Sequence, residues 1–161
     1  MTRNASLDAL VAAAAQRHTL PVSLIRAIVH IESGGNPWAV RYEPAFYDRY
    51  VMTKPVKAHA PCSVKTESRL RATSFGLMQI MGQTARETGF DGVYLTELCD
   101  PAVGLDWSCT YLARLVEVYR SKYGMEGVVA AYNAGSPRKS GDGSWVNQAY
   151  VDKIRQEGGL S

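Results

Sequence analysis

The apolar positions of this chain fall into helical periods along most of its length. Residues 6–17 are Ala-rich with helical spacing, and Thr19, Leu20 and Pro21 interrupt them. Pro21 suits the start of a second helix that runs to Ser33, where Gly34, Gly35, Asn36 and Pro37 end it. A short helix is predicted over 44–51, after Pro44. Residues 53–66 (TKPVKAHAPCSVKT) are polar, proline-punctuated and irregular, and a loop of that length inside a compact domain is usually functional or mobile. An apolar run opens at 76–82 (GLMQIMG), and 83–88 make a short helix closed by Gly89. Asp100 and Pro101 start the longest helix, 101–123. Leu105, Cys109, Leu112, Val116 and Tyr119 lie on one face of it and Trp107, Tyr111 and Val118 on others, which places it in the middle of the domain. A short helix over 125–133, a Ser/Gly/Lys loop over 136–144 and an amphipathic helix over about 145–157 follow. No internal repeat, linker or convincing strand pair is visible. The expectation is a mainly α, single-domain fold over residues 1–161.

Composition narrows the function classes. The chain has 161 residues, enough to hide roughly 70% of the surface of the unfolded chain and to enclose a cleft without metal or disulfide support. Its net charge of +3 is mildly basic, and its Lys and Arg residues are scattered. That suits an anionic polymer such as peptidoglycan and is no nucleic-acid signature. No stretch approaches the roughly 18 apolar residues of a membrane span, so no stable membrane insertion is expected. The N-terminal Ala run is interrupted by Asp8 and followed by Gln16 and Arg17, so it reads as the first helix of the fold and not as a signal peptide.

The three cysteines have no metal-ligand spacing, and neither a metal nor an organic cofactor is expected. With Asp100 as N-cap, Cys109 lies roughly 12 Å up its helix, beyond the about 7 Å that a disulfide with Cys99 tolerates. Free, mostly buried thiols are expected. His18, His30 and His59 are isolated and read as surface or satisfied core histidines.

The sharpest chemical signal is a carboxylate out of pattern. Ile25, Ile28 and Val29 form the apolar stripe of the second helix, and the next position on that stripe is Glu32. Glu32 also lies in the last turn, at the negative end of the helix dipole. Partial burial and the dipole both disfavour the charged form and raise the pKa. A carboxyl protonated near neutral pH can donate to a leaving oxygen, the arrangement used by the acid of lysozyme.

Glu32 opens the string ESGGNPWAV, followed by GLMQIM at 76–81 and AYNAG at 131–135. These blocks, in this order and with the Asp-Pro-led long helix between the last two, resemble the soluble lytic transglycosylase (SLT) family over roughly residues 8–155. The resemblance implies a lysozyme-like fold with a glycan-binding cleft, peptidoglycan glycan strands as the partner, and action at the cell wall or periplasm. It implies cleavage of the β-1,4 bond between N-acetylmuramic acid and N-acetylglucosamine with a 1,6-anhydromuramyl product. Glu32 is then the single catalytic residue, where ordinary glycosidases use two carboxylates. Ser33 can hydrogen-bond the carboxylate or an N-acetyl group, or simply cap the helix. Gln79 offers a donor and an acceptor to a sugar. Met78 reads as core more than as a ligand contact. Tyr132 lies one turn beyond Val128 and Val129, and Asn133 suits an N-acetyl group or a helix-end turn. With no export signal visible, a phage lysis enzyme (endolysin), a virion component and a bacterial enzyme exported by other means all fit; a monomer is expected.

Two features depart from the family. The interval between Ser33 and Gly76 carries an insertion, approximately 41–72, rich in Tyr42, Phe46, Tyr47 and Tyr50, with Phe46 and Tyr50 an i, i+4 packing pair. Gly82 stands where the family often has proline. Glu43, inside the insertion, either positions water near the cleft, which favours hydrolysis, or pairs with Arg41 or Arg71; Asp48 and Asp91 are weaker candidates. The alternatives to a lytic transglycosylase are a hydrolytic muramidase close to goose-type lysozyme and a non-catalytic glycan-binding module.

Overall fold

The computed structural model describes residues 2–160, with side chains from residue 7 onward. Its described residues form a mainly α structure with a small sheet, and they divide into two compact units. One unit comprises residues up to 31 and from 109; the other is Glu32–Ser108.

The first unit holds α1 (Thr2–His18), most of α2 (Val22–Ser33), the later part of α6 (Pro101–Ala134) and α7 (Gln148–Gln156). The expected stripe of α2 is buried: Leu24, Ile25, Ala27, Ile28 and Val29. Helix α6 begins as its cap predicts, with Ala102 and Val103 N–H donating to Asp100 Oδ1, both at 3.0 Å. It breaks at Gly124, whose φ of 66° separates the two expected helices. One expectation for α6 fails. Leu105, Cys109, Leu112 and Leu115 are buried, but Val118 is 63% exposed, so the apolar girdle ends near Leu115 and the stretch from there to Gly124 lies mostly at the surface, before buried side chains resume at Val128. Helix α7 starts later than expected, at Gln148, because Trp145 pairs with Lys139 in an isolated bridge and Asn147 takes the cap position.

The second unit contains the only strands among the described residues. β1 (Val40–Tyr42), β2 (Thr73–Phe75) and β3 (Ile80–Met81) form an antiparallel sheet in the order β1-β2-β3, with Val40 opposite Phe75 and Phe75 opposite Ile80. This overturns the expectation of no strand pairs. Strands of two and three residues carry too little alternation to read, and β1 meets β2 only across the insertion.

The segment read from the sequence as an insertion folds as α3 (Pro44–Phe46), a π-helical turn (Tyr47–Val51) and α4 (Val64–Arg71). The helix expected over 44–51 is present, and the Phe46 and Tyr50 rings pack with centroids 4.8 Å apart. The irregular run is shorter than expected, because α4 starts at 64. Ser63 caps that helix, its Oγ accepting from Thr66 N–H at 3.0 Å. α4 escaped detection because its inward side chain is not apolar: it is Glu67, 0% exposed. Its carboxylate is held by two guanidinium groups. Arg86 Nε and Nη2 donate to the two oxygens at 2.8 and 3.0 Å, and Arg71 Nε donates to Oε1 at 3.0 Å. Arg86 lies on α5 (Gly82–Thr88), and its Nη1 also donates to Phe90 and Gly92 carbonyls at 2.9 and 2.7 Å.

α4 also explains Gly82. A Cβ there would stand 2.3 Å from Leu70 O and 3.0 Å from Arg71 Cα, both backbone atoms of α4. α4 therefore lies where a side chain at position 82 would be. Gly82→Pro is expected to destabilise the fold by about 1–3 kcal/mol through overpacking. Denaturant unfolding measures it, and an unchanged midpoint would contradict this packing.

All three cysteines are free and buried, as expected. Burial pushes the Cys99 thiol up, which keeps it protonated and unreactive at neutral pH. No described helix is long and apolar enough to cross a membrane.

Candidate active site

Glu32 is the penultimate residue of α2 and is half-buried, as its place on the apolar stripe requires. The chain leaving it is pinned at two points to the hairpin that joins β2 to β3. The first is Ser33, whose Oγ donates to Leu77 O at 2.7 Å and accepts from Gly35 N–H at 3.2 Å. The second is Ala39, whose carbonyl accepts from Gly76 N–H at 2.8 Å and from Gln79 Nε2 at 2.9 Å. Between them Asn36 Oδ1 accepts from Trp38 N–H at 3.0 Å, closing a turn in which Trp38 is 73% exposed. The segment after the candidate acid is thus fixed by hydrogen bonds at both ends.

The hairpin loop is the GLMQ block itself. Leu77 and Met78 are buried at 2% and 1% exposure, so Met78 belongs to the core. Gly76 has φ +72°, and a Cβ would lie 2.5 Å from Leu98 O, so conformation and space both exclude a side chain. Gln79 adopts φ 51° without being glycine, which costs on the order of 1–3 kcal/mol. Its amide offsets that cost. Nε2 donates to Ala39 O and Gly76 O, both at 2.9 Å, and Oε1 accepts from Ser74 Oγ at 2.8 Å. Both amide hydrogens of Gln79 are engaged within the protein, where the sequence suggests a sugar ligand. Ser33 likewise commits its one hydroxyl hydrogen to Leu77 O.

Glu43 takes the structural partner of the two weighed for it. It forms an ion pair with Arg41 at 2.5 Å, while Arg71 is occupied by Glu67. Arg69 stacks over the Tyr47 ring at 4.0 Å and donates to Tyr42 Oη at 2.6 Å, so part of the aromatic set of the insertion is held by a cation.

Tyr132 and Asn133 lie in the last turn of α6, ahead of Gly135 with its φ of 79°. The half-buried Tyr132 ring packs on Tyr111 with centroids 5.6 Å apart. Asn133 is exposed, and its Oδ1 accepts from Asn147 Nδ2 at 2.9 Å. Around this end of the unit, Trp145 lies under Lys139 Nζ at 3.9 Å, and Glu126 and Asp152 hold Arg155 further into its charged form.

The structure therefore gathers Ser33, Met78 and Gln79 at the hairpin beside the end of α2, and groups Tyr132 and Asn133 with Tyr111 and Asn147. Sequence reading missed Glu67, Arg86, Ser74 and Asn147. The Ser63 cap was the one local signal pointing toward α4. No group of three or more potential metal ligands occurs among the described residues.

No curated protein matches the chain. The family model described as the transglycosylase SLT domain matches residues 9–156. That span takes in the end of α2, the GLMQ hairpin and the last turn of α6 together, and on it the chain belongs to the transglycosylase SLT domain family.

Proposed function

We propose that this protein is a lytic transglycosylase that cuts the β-1,4 bond between N-acetylmuramic acid and N-acetylglucosamine and releases a 1,6-anhydromuramyl end. The family acts on peptidoglycan; the bond, the product and the residue roles are this reading. The observation that carries it is the position of Glu32, half-buried in the last turn of α2 with the following segment hydrogen-bonded to the GLMQ hairpin at Ser33 and Ala39.

In this mechanism protonated Glu32 gives its proton to the glycosidic oxygen as the bond from the muramyl C1 breaks. The resulting carboxylate takes the proton of the C6 hydroxyl on the same sugar, and that oxygen bonds to C1. Glu32 ends protonated as it began, and no water is consumed. One carboxylate suffices because the nucleophile belongs to the substrate. Tyr132 and Asn133 contact the glycan, while Ser33, Met78 and Gln79 hold the backbone that carries the acid. Glu43, ion-paired to Arg41, supports the insertion.

Mass spectrometry of muropeptides released from purified peptidoglycan tests the reading. The expected products are lighter by one water than those of hydrolysis. Hydrated products would make the protein a hydrolytic muramidase and return Glu43 to the chemistry. Binding without soluble products would make it a glycan-binding module.

A further inference from the structure

Resting on the reading that Asn133 contacts the glycan, we infer that Asn147 is a positioning residue that fixes the polarity of Asn133. It turns the outward face of the Asn133 amide into a hydrogen-bond donor, so the group recognised there is an acceptor, the carbonyl of an acetamido substituent.

The assignment starts from a backbone carbonyl, which can only accept. Asn147 Nδ2 lies 3.0 Å from Ala130 O, and this end of the amide must be the nitrogen, since an oxygen there would face another oxygen. The same Nδ2 has a second hydrogen, and it meets Asn133 at 2.9 Å. The Asn133 atom that receives it must be Oδ1. The Asn133 Nδ2 is then the end turned away from Asn147, on an exposed residue. Each side-chain amide would be ambiguous alone; the chain Ala130 O, Asn147, Asn133 removes the ambiguity at each step.

Asn147 Oδ1 is buried and accepts no hydrogen bond from the protein among the described residues. A buried acceptor without a donor is unfavourable, and in native proteins such atoms are few. Turning the Asn147 amide over would not relieve it, because Nδ2 would lose Ala130 O. Asn147 sits just before α7, so the start of that helix is tied to the last turn of α6 through the same two bonds.

The test compares peptidoglycan with the same polymer after chemical de-N-acetylation, which replaces the acetamido acceptor by an amine that donates. Wild type is expected to lose about tenfold in kcat/KM on the second polymer, mainly in KM, the worth of one hydrogen bond. Asn133→Asp keeps an oxygen facing Asn147 and puts an acceptor outward. It is expected to lose about tenfold on peptidoglycan and to reverse the preference. Asn147→Asp can no longer donate to Asn133, so that amide turns over, and the preference should shrink or reverse with Asn133 itself unchanged. Thermal melts of both variants check folding; Asn133→Asp preserves the inner bond and keeps the test valid if Asn147→Asp unfolds. Wild-type preference retained in Asn133→Asp overturns the donor assignment. Preference reversed by Asn133→Asp but unaltered in a folded Asn147→Asp overturns the role of Asn147. No soluble muropeptides from wild type on either polymer would instead refute the catalytic reading.

Discussion

Replacing Glu32 by Gln is expected to lower muropeptide release about 10²–10⁴-fold, the usual worth of a positioned acid-base group, while glycan binding persists. Glutamine matches glutamate in shape and removes only the transferable proton and the charge. The effect should therefore fall on kcat, with KM near wild type. Stability should not fall with it. A carboxylate in the last turn of α2 faces the negative end of the helix dipole, and relieving that is worth about 0.3–1 kcal/mol. Lost activity in a protein that melts no earlier than wild type is the signature of a catalytic group kept at a place helix energetics disfavour. The pH dependence has a fixed sign. In this mechanism Glu32 must be protonated to start each cycle, so the rate should decline as pH rises through the range in which it loses its proton. Undiminished lysis by the Gln variant, or a wild-type profile that rises through that range, would remove Glu32 from the mechanism.

The largest effect on stability is expected from Glu67→Ala, a loss of about 3–5 kcal/mol. The carboxylate is fully buried, and the truncation strands two guanidinium groups. Arg86, at 6% side-chain exposure, would keep its bonds to Phe90 and Gly92 carbonyls but lose the Glu67 carboxylate that balances its charge. Arg71 would keep Lys57 O at 3.0 Å and Gln83 Oε1 at 3.3 Å, two neutral partners. At about 2–4 °C per kcal/mol for a chain of this size, the melting temperature should drop by about 6–20 °C. The reverse truncation, Arg86→Ala, should cost a similar amount by leaving Glu67 with Arg71 alone. The two losses should not add, because either one already breaks the pair. A double mutant as damaged as the sum of the singles, or a Glu67→Ala protein that melts with wild type, would show that α4 is held by other contacts.

These two carboxylates mark the limit of sequence reading from opposite sides. Glu32 was legible because it violates a visible rule: it occupies the place of an apolar side chain in a helix whose stripe, Ile25, Ile28 and Val29, is otherwise regular. Glu67 violates nothing visible. Its helix has no apolar stripe, and the residue it buries is ionic, so α4 reads as polar loop until its partners are known. Gln79 was singled out as a donor and acceptor for a sugar, yet the direction of its amide, inward to Ala39 and Gly76, depends on a turn with φ 51° that no local pattern encodes.

Much was set by the sequence alone. The helices other than α4, the Asp100 cap, the break near 124, the Gly89 stop, the free buried cysteines and the place of Glu32 at a helix end all follow from interactions three or four residues apart, which a linear pattern records. The rest was decided by tertiary structure. Val40 pairs with Phe75, Glu67 with Arg86, Ser33 with Leu77 and Asn133 with Asn147, each across a separation at which residue type restricts but does not select the partner. A hydrogen bond or buried ion pair has direction and an unmet partner is costly, so these choices are made only when the chain has closed around them.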